Sequence, residues 1–276
     1  MKKKALWACL AAFLLGTALL VTGLKLGAER TLTIDGNGIH VIGDMLRDIP
    51  VEPFRSLEIV LEGASDQIAI VQVRQGTEWK LSVSETLDTV FDIEQDEGKL
   101  RIRQAPGKAK MQVNLAGWGL ESPEVYVTVP EALEDVRIQT PGAVELVQIE
   151  AQNIDIMNEA AQVWLREVKT DRLVVNQTQG FIGLDRCNVA FSALYYYGDE
   201  QKELEGVYVE DLNAGEHNWY VYDSNVHAVL GGDPASWYLN VDAKEQTETV
   251  VHGGITSPNR LILVCPDGTA DVQFRN

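Results

Sequence analysis

Apolar residues alternate with polar ones at a period of two residues along most of the chain. The alternation is clear at Leu57/Ile59/Leu61, Trp79/Leu81/Val83, Phe91/Ile93, Leu100/Ile102 and Val125/Val127/Val129. Because successive side chains of a strand point to opposite faces of a sheet, this pattern predicts half-buried β-strands. Turn-forming pairs such as Gln75-Gly76 and Glu97-Gly98 separate the strands, as expected in an all-β fold.

A longer repeat begins at about residue 131. One set of apolar pairs is Val136/Ile138, Ile154/Ile156, Leu173/Val175 and Val189/Phe191, and a second set is Val144/Leu146, Val163/Leu165 and Ile182/Leu184. Self-similarity near twenty residues, with two or three short strands per repeat, predicts a β-solenoid over 131–276. An antiparallel β-sandwich is the alternative, because a period of two does not distinguish parallel stacking from hairpins.

The N-terminus has the pattern of a membrane segment. Three lysines follow Met1, and the stretch from Ala5 to Leu24 contains no charged residue. About twenty apolar residues in a helix span the roughly 30 Å hydrocarbon core of a bilayer. We therefore expect a cytoplasmic tip at 1–4 and an uncleaved signal anchor at 5–26, with a cleaved signal peptide as the alternative.

The rest of the chain is then expected outside the cell membrane. A linker and first hairpin are predicted at 27–52, and a β region at 53–130 precedes the repeats. All 41 acidic residues lie after Ala28, whereas four basic residues lie before it, which leaves this part a formal net charge of −22. Such a field repels nucleic acid and favours cations or cationic peptides as partners.

Two stretches carry a family resemblance. They are Glu97-Gly98-Lys99-Leu100-Arg101-Ile102 and Val125-Tyr126-Val127-Thr128-Val129-Pro130, the second of which leads into the repeating strands. Together with the N-terminal segment, they make the chain resemble the bacterial putative-adhesin family of membrane-anchored β-solenoid head domains. The resemblance implies an exported, membrane-tethered β-solenoid with a binding or envelope-stress role, and it supplies no catalytic motif. Our leading hypothesis is a non-enzymatic protein that binds a wall polymer, a cationic peptide or an envelope protein.

Candidate chemistry is sparse in this sequence. The stretch 215–233 is rich in acidic residues and histidine, yet alternation scatters those side chains between faces and corners. Asp185, Asp211, Asp223 and Asp233 could line up on successive coils, as in an exported polysaccharide lyase or glycoside hydrolase of the β-helix type. Turn positions explain them better. We predict no catalytic residue, cofactor or metal.

The two cysteines beyond the N-terminal segment, Cys187 and Cys265, lack any metal-binding spacing. We expect them to be buried free thiols rather than a disulfide.

Tyrosines offer the one candidate binding face. If Val207/Val209, Trp219/Val221 and Trp237/Leu239 point inward, their tyrosine neighbours point outward at equivalent places on successive strands. The predicted face consists of Tyr196, Tyr208, Tyr220, Tyr222 and Tyr238. Such a ladder can grip a sugar or a peptide, or its rings can simply stack on one another and stabilise the sheet.

Overall fold

The structure is a computed structural model that describes residues 16–17, 31–35, 38–42, 46–62, 70–84, 89–106, 111–114, 123–159, 161–198, 206–213, 215–247 and 254–275. The predicted signal anchor lies outside these residues, apart from Gly16 and Thr17, which are helical. In the part of the chain that is described, no helix has the length and apolar character needed to cross a bilayer.

β-Strands make up most of the described chain, which confirms the all-β prediction. In chain order they are β1 (Thr31–Asp35), β2 (Gly38–Ile42), β3 (Arg47–Ile49), β4 (Ser56–Val60), β5 (Ile70–Gln75), β6 (Lys80–Ser84), β7 (Thr89–Asp96), β8 (Lys99–Pro106), β9 (Met111–Asn114), β10 (Glu124–Val129), β11 (Leu133–Thr140), β12 (Ala143–Val147), β13 (Glu150–Asn158), β14 (Val163–Arg166), β15 (Lys169–Thr178), β16 (Phe181–Asp185), β17 (Asn188–Tyr197), β18 (Gly206–Leu212), β19 (Glu216–Tyr222), β20 (Asn225–Leu230), β21 (Trp237–Thr247) and β22 (Asn259–Phe274). A short 3-10 helix, η1 (Pro234–Ser236), precedes β21.

The chain separates into two compact units. In the smaller unit, β1 pairs antiparallel with both β2 and β9 to form a three-stranded sheet. The larger unit holds a sheet of 19 strands, built from β3 to β8 and β10 to β22.

Parallel pairing between strands two places apart in the chain organises the large sheet. β11, β13, β15, β17 and β19 form one parallel series, and β12, β14, β16, β18 and β20 form another. Val136 lies opposite Ile154, and Ile154 lies opposite Leu173. The chain therefore returns to the same level about every twenty residues. The antiparallel sandwich does not describe this region, because its hairpins would pair each strand antiparallel with the next.

Apolar side chains fill the inward positions of both series. They include Ile138, Ile156, Val175 and Leu194 in the first series and Leu146, Leu165, Leu184 and Val209 in the second. Burying one such side chain contributes about 1.5–3 kcal/mol. One coil alone cannot cover its own inward residues, so the stability of each depends on its neighbours.

One pair of the sequence repeat is misaligned relative to the structure. The pattern equates Val189 and Phe191 with the earlier apolar pairs, whereas the register places Ser192 and Leu194 there. Phe191 is instead only half-buried. The sequence pattern selected the apolar pair Val189 and Phe191. The inward position instead holds Ser192, which is hydrogen-bonded to buried His217.

The corners that follow β12, β14 and β16 share one backbone conformation. Gln148, Glu167 and Arg186 have φ values of 56°, 54° and 49°, in the left-handed region. Gln148 donates to a carboxylate oxygen of Glu167 at 2.7 Å, and Arg186 donates to the other at 2.7 Å. These hydrogen bonds hold the pKa of Glu167 below its usual range. These hydrogen bonds between successive corners hold the ends of β14 and β16 in place. The candidate site lies on these two strands and their neighbours.

The last two strands close the C-terminal end of the series. The first half of β22 pairs with β19 and its second half pairs with β20. β21 pairs with β22 along most of its length.

Candidate functional site

A row of outward-facing residues crosses β14, β16, β18 and β20 at one level of the sheet. Trp164 lies opposite Gly183, Gly183 opposite Tyr208, and Tyr208 opposite His227. Each stands between two inward residues of its own strand, so alternation turns it to the outer face. A groove of about 650 Å³ follows this row, and we call it the aromatic groove.

Gly183 allows the groove to form. A Cβ atom on this residue would lie 2.1 Å from Cε3 of Trp164, which is closer than atoms can approach. The indole ring therefore lies against the backbone of β16, in the space that any larger residue would fill. Its Nε1 atom is shielded from solvent and has no hydrogen-bond partner among the described residues.

Three aromatic rings form the walls of the groove. The centroids of Trp164 and Phe181 are 5.3 Å apart with an interplanar angle of 83°, and those of Phe181 and Tyr208 are 6.3 Å apart at 86°. These edge-to-face contacts are a favoured arrangement for aromatic pairs. The Tyr208 side chain remains 39% exposed, so a ligand can reach its ring.

Charged groups occupy both ends of the row. Arg166 holds its guanidinium 5.9 Å from the centroid of the Trp164 ring and forms an ion pair with Glu145. At the other end, Nδ1 of His227 lies 2.9 Å from a carboxylate oxygen of Asp271. The Arg166 guanidinium and the His227 imidazole thus already have acidic partners.

Two carboxylates line the outer side of the groove. They lie on β16 and β18, two residues after Gly183 and Tyr208. Asp185 lies opposite Glu210 in the register of β16 and β18, and both line the groove. Asp185 is 3.2 Å from Arg186. Glu210 makes no ion pair with any described residue, and its side chain is exposed. Glu210 nevertheless acts with Glu167 and Asp185 to raise the pKa of the nearby Arg186. The site therefore combines aromatic walls with carboxylates that share one arginine.

The tyrosines predicted to form one face lie in different places. Tyr208 lies in the aromatic groove, whereas Tyr220 and Tyr222 belong to the other strand series. Tyr220 stacks on Tyr195 with centroids 5.4 Å apart, and Tyr222 stacks on Tyr197 at 5.3 Å, with interplanar angles of 5° and 7°. Since the rings of each pair cover each other's faces, they act as cross-strand pairs that stabilise the sheet.

Two further tyrosines of that face also lie elsewhere. Arg260 lies over the ring of Tyr238, 5.9 Å from its centroid. Tyr196 is fully buried, and its hydroxyl donates to the carbonyl of Gly180 at 2.6 Å. Its assignment to the outer face is wrong, because the inward register of β17 runs through Ser192, Leu194 and Tyr196.

A serine and a histidine do meet, but inside the protein. Oγ of Ser192 lies 2.9 Å from Nδ1 of His217, and Nε1 of Trp219 donates to Oγ of Ser192 at 2.9 Å. Both Ser192 and His217 are fully buried. Burial lowers the pKa of His217 to about 4, although the backbone of Asn213 acts in the opposite direction. No substrate can reach this pair, so it is a structural network.

The candidate aspartates serve turns and ion pairs. Asp223 has a φ value of 52° in the bend between β19 and β20. Asp211 has a φ value of 58° at a register shift near the end of β18, and it binds Arg275 at 2.7 Å. Asp233 accepts from the backbone of Ala235 and caps η1. These roles match the turn interpretation made from the sequence. In the described ranges, no three potential metal-ligating side chains cluster.

The cysteines are free and buried, as expected from the sequence. Burial raises the pKa of both Cys187 and Cys265 to about 11. Neither thiol is therefore reactive at neutral pH.

The sequence prediction missed Trp164, Phe181 and Gly183 as a group. A signal for them was present, because Trp164, Gly183 and Tyr208 each lie between the two members of an inward apolar pair. Comparing these central residues from one repeat to the next would have found the row. Phe181 lies two residues before Gly183 on the same face of β16, so alternation also turns it outward, although it is not one of these central residues.

Comparisons with known proteins find likenesses only among solved structures. No protein-family model matches the chain, and no curated protein matches it. A putative adhesin from Bacteroides fragilis is 13% identical, with 83% of this chain and 96% of that chain covered and a TM-score of 0.42. A putative cell adhesion protein from Clostridium sporogenes is 11% identical, with 84% and 99% covered and a TM-score of 0.33.

A putative lipid binding protein from Parabacteroides distasonis is also similar, at 11% identity, with 83% of this chain and 96% of that chain covered and a TM-score of 0.35. Structures named as adhesins are thus among those similar to this chain, as the sequence resemblance predicted. Likenesses this distant transfer neither a ligand nor a binding residue.

Proposed function

We propose that this chain is a non-enzymatic binding protein whose β-solenoid is tethered outside the bacterial cell membrane and takes its ligand in the aromatic groove. The observation that carries the proposal is the groove itself, in which Trp164, Phe181 and Tyr208 surround an open volume of about 650 Å³. Binding sites are concave, mostly apolar and supplied with a few polar groups, and this groove has each of these properties.

The geometry also favours binding over catalysis. Paired carboxylates in a glycosidase act as acid and as base or nucleophile on the bond between them. The two carboxylates that line the groove, Asp185 and Glu210, instead share the nearby guanidinium of Arg186. The buried pair of Ser192 and His217 is closed to substrates. The side chains around the groove are therefore suited to holding a ligand rather than to transforming it.

The tether is supported by the N-terminal sequence. Lys2, Lys3 and Lys4 precede the uncharged stretch from Ala5 to Leu24. Positive charge on the cytoplasmic side would orient the segment with the strands outside. A role in the envelope, with a wall polymer, cationic peptide or envelope protein as partner, follows from that location.

The proposal is tested by binding to an array of cell-wall glycan fragments and lysine-rich peptides. The full chain in neutral detergent micelles should retain members of one ligand class. Tyr208→Ala removes one wall of the groove and should weaken retention at least about tenfold, since burying an aromatic ring against a ligand contributes over 1 kcal/mol.

Tyr222→Ala is the matched control, because it removes a tyrosine from the other strand series. It should lower the midpoint of thermal unfolding through the lost stack on Tyr197 while leaving retention unchanged. Equal retention by the wild type and Tyr208→Ala, or loss of retention only in Tyr222→Ala, would contradict the assignment of the groove.

A further inference from the structure

We infer that the aromatic groove selects a positively charged alkylammonium group, held against the rings of Phe181 and Tyr208 beside the carboxylate of Glu210. The inference rests on the proposed function and adds the chemical class of the ligand. Neither the resemblance nor the distant structural likenesses specify such a ligand.

The arrangement of the rings is the first argument. Phe181 stands nearly perpendicular to both Trp164 and Tyr208, with interplanar angles of 83° and 86°. Rings that meet at right angles present faces and edges on several sides of one space. Because the face of an aromatic ring is electrostatically negative, walls of this kind attract a cation lodged between them.

The charges around the groove are the second argument. Asp185 and Glu210 both line it, and the one ionisable nitrogen in its lining belongs to His227, which is paired with Asp271. Arg186 offsets the charge of Asp185. Glu210 makes no ion pair within 4 Å among the described residues, and the single Arg186 guanidinium is shared by Glu167, Asp185 and Glu210. A cationic ligand would therefore meet carboxylates that one arginine only partly offsets.

Arg166 does not oppose this assignment. Its guanidinium lies over Trp164 and is paired with Glu145, which compensates its charge. Arg166 itself lies opposite Asp185 in the register of β14 and β16. The contact of Arg166 with the indole also shows that the Trp164 ring already accepts a cation. No described cation lies over Phe181 or Tyr208, so these two rings remain available to a ligand.

The charge of the whole chain points in the same direction. Its formal net charge is −18 at pH 7, and a field of that sign raises the local concentration of cations at an open groove. An anionic ligand would have to overcome both this field and Glu210.

Choline and its uncharged isostere 3,3-dimethylbutan-1-ol separate charge from shape. We would titrate each into the full chain in neutral detergent micelles by calorimetry. Choline should bind, and the isostere should bind about tenfold more weakly, because cation–π attraction in a partly desolvated site contributes one to two kcal/mol. n-Butylammonium should bind in the same range as choline, because it also carries its positive charge on an alkyl group.

Three variants locate the effect. Glu210→Gln should weaken choline binding about threefold and leave the isostere unchanged, and Tyr208→Ala should abolish the preference for choline. Glu134→Gln is the matched control, because it removes an exposed carboxylate that pairs with Arg55, away from the groove. It should leave both affinities unchanged.

The outcomes distinguish the two proposals. Equal affinity for choline and the isostere, both lost in Tyr208→Ala, would overturn the charge selection while supporting the groove as a binding site. A second such result is that choline does not bind while array ligands are retained in a way that depends on Tyr208. That result would also overturn the charge selection and support the groove as a binding site. If neither probe binds and no array ligand depends on Tyr208, both proposals fail.

Discussion

His217 and Ser192 occupy inward positions that Val136, Ile154 and Leu173 fill in the preceding coils. A buried polar group is tolerated when it is hydrogen-bonded, and here Trp219, Ser192 and His217 form a chain of contacts. The His217 ring also stacks on Trp237, with centroids 5.7 Å apart. The network accounts for the departure of this coil from the apolar pattern.

Stability should fall with acid because of His217. Its pKa is lowered from 6.5 to about 4 by burial, so between these values the unfolded chain binds a proton that the folded chain does not. The contribution of neutral His217 is fully present above pH 6.5 and is lost as the pH falls towards 4. The loss should reach about 3 kcal/mol by pH 4, measured as the free energy of unfolding in urea.

Other acidic groups also titrate in this range, so His217→Gln isolates the histidine. The difference in unfolding free energy between wild type and variant should change by about 3 kcal/mol from pH 7 to pH 4. His227→Gln, at an exposed histidine, is the control. An unchanged difference for His217→Gln would show that His217 is not the group responsible.

At the scale of strands, much of the fold could be predicted from alternation and repeat length. Inward pairs such as Val144/Leu146 and Val163/Leu165 lie opposite each other as predicted, because apolar burial alone decides which way they point. The pair at Val189 and Phe191 could not be placed correctly. In the sequence, a buried serine cannot be told from a surface serine. The groups that hydrogen-bond to its hydroxyl lie on another strand.

The candidate site was less predictable for a topological reason. The odd or even position of a tyrosine along its strand predicts which side of the sheet it faces. It does not predict to which strand series the tyrosine belongs. Tyr208 and Tyr220 have the same outward parity, yet β18 pairs with β16 and β20, whereas β19 pairs with β17 and β22. Glycine also carries no obvious signal of binding, although Gly183 is what makes room for Trp164.

In the molecule as a whole, the acidic residues and the proposed anchor belong to different parts of the sequence. The N-terminal 28 residues carry only positive charges, and all acidic residues follow them. An acidic binding region held near an anionic membrane surface would be repelled from that surface. This separation would leave the groove accessible to ligands from outside.

The tether predicts where the chain is found in a fractionated bacterial host. The full chain should sediment with membranes and resist an alkaline wash, because the segment at 5–26 would cross the bilayer. A variant that begins at residue 27, exported by an unrelated signal peptide, should be released. Recovery of the full chain in the soluble fraction, or of a product shortened at the N-terminus, would contradict an uncleaved anchor.

Hydrogen–deuterium exchange of the full chain, with and without a ligand retained by the array, shows directly which strands the ligand contacts. If the aromatic groove is the binding site, the ligand should slow exchange in β16, β18 and β20 and leave β17 and β19 unchanged. Protection confined to the stacked tyrosines of β17 and β19, or absent from β16 and β18, would contradict it.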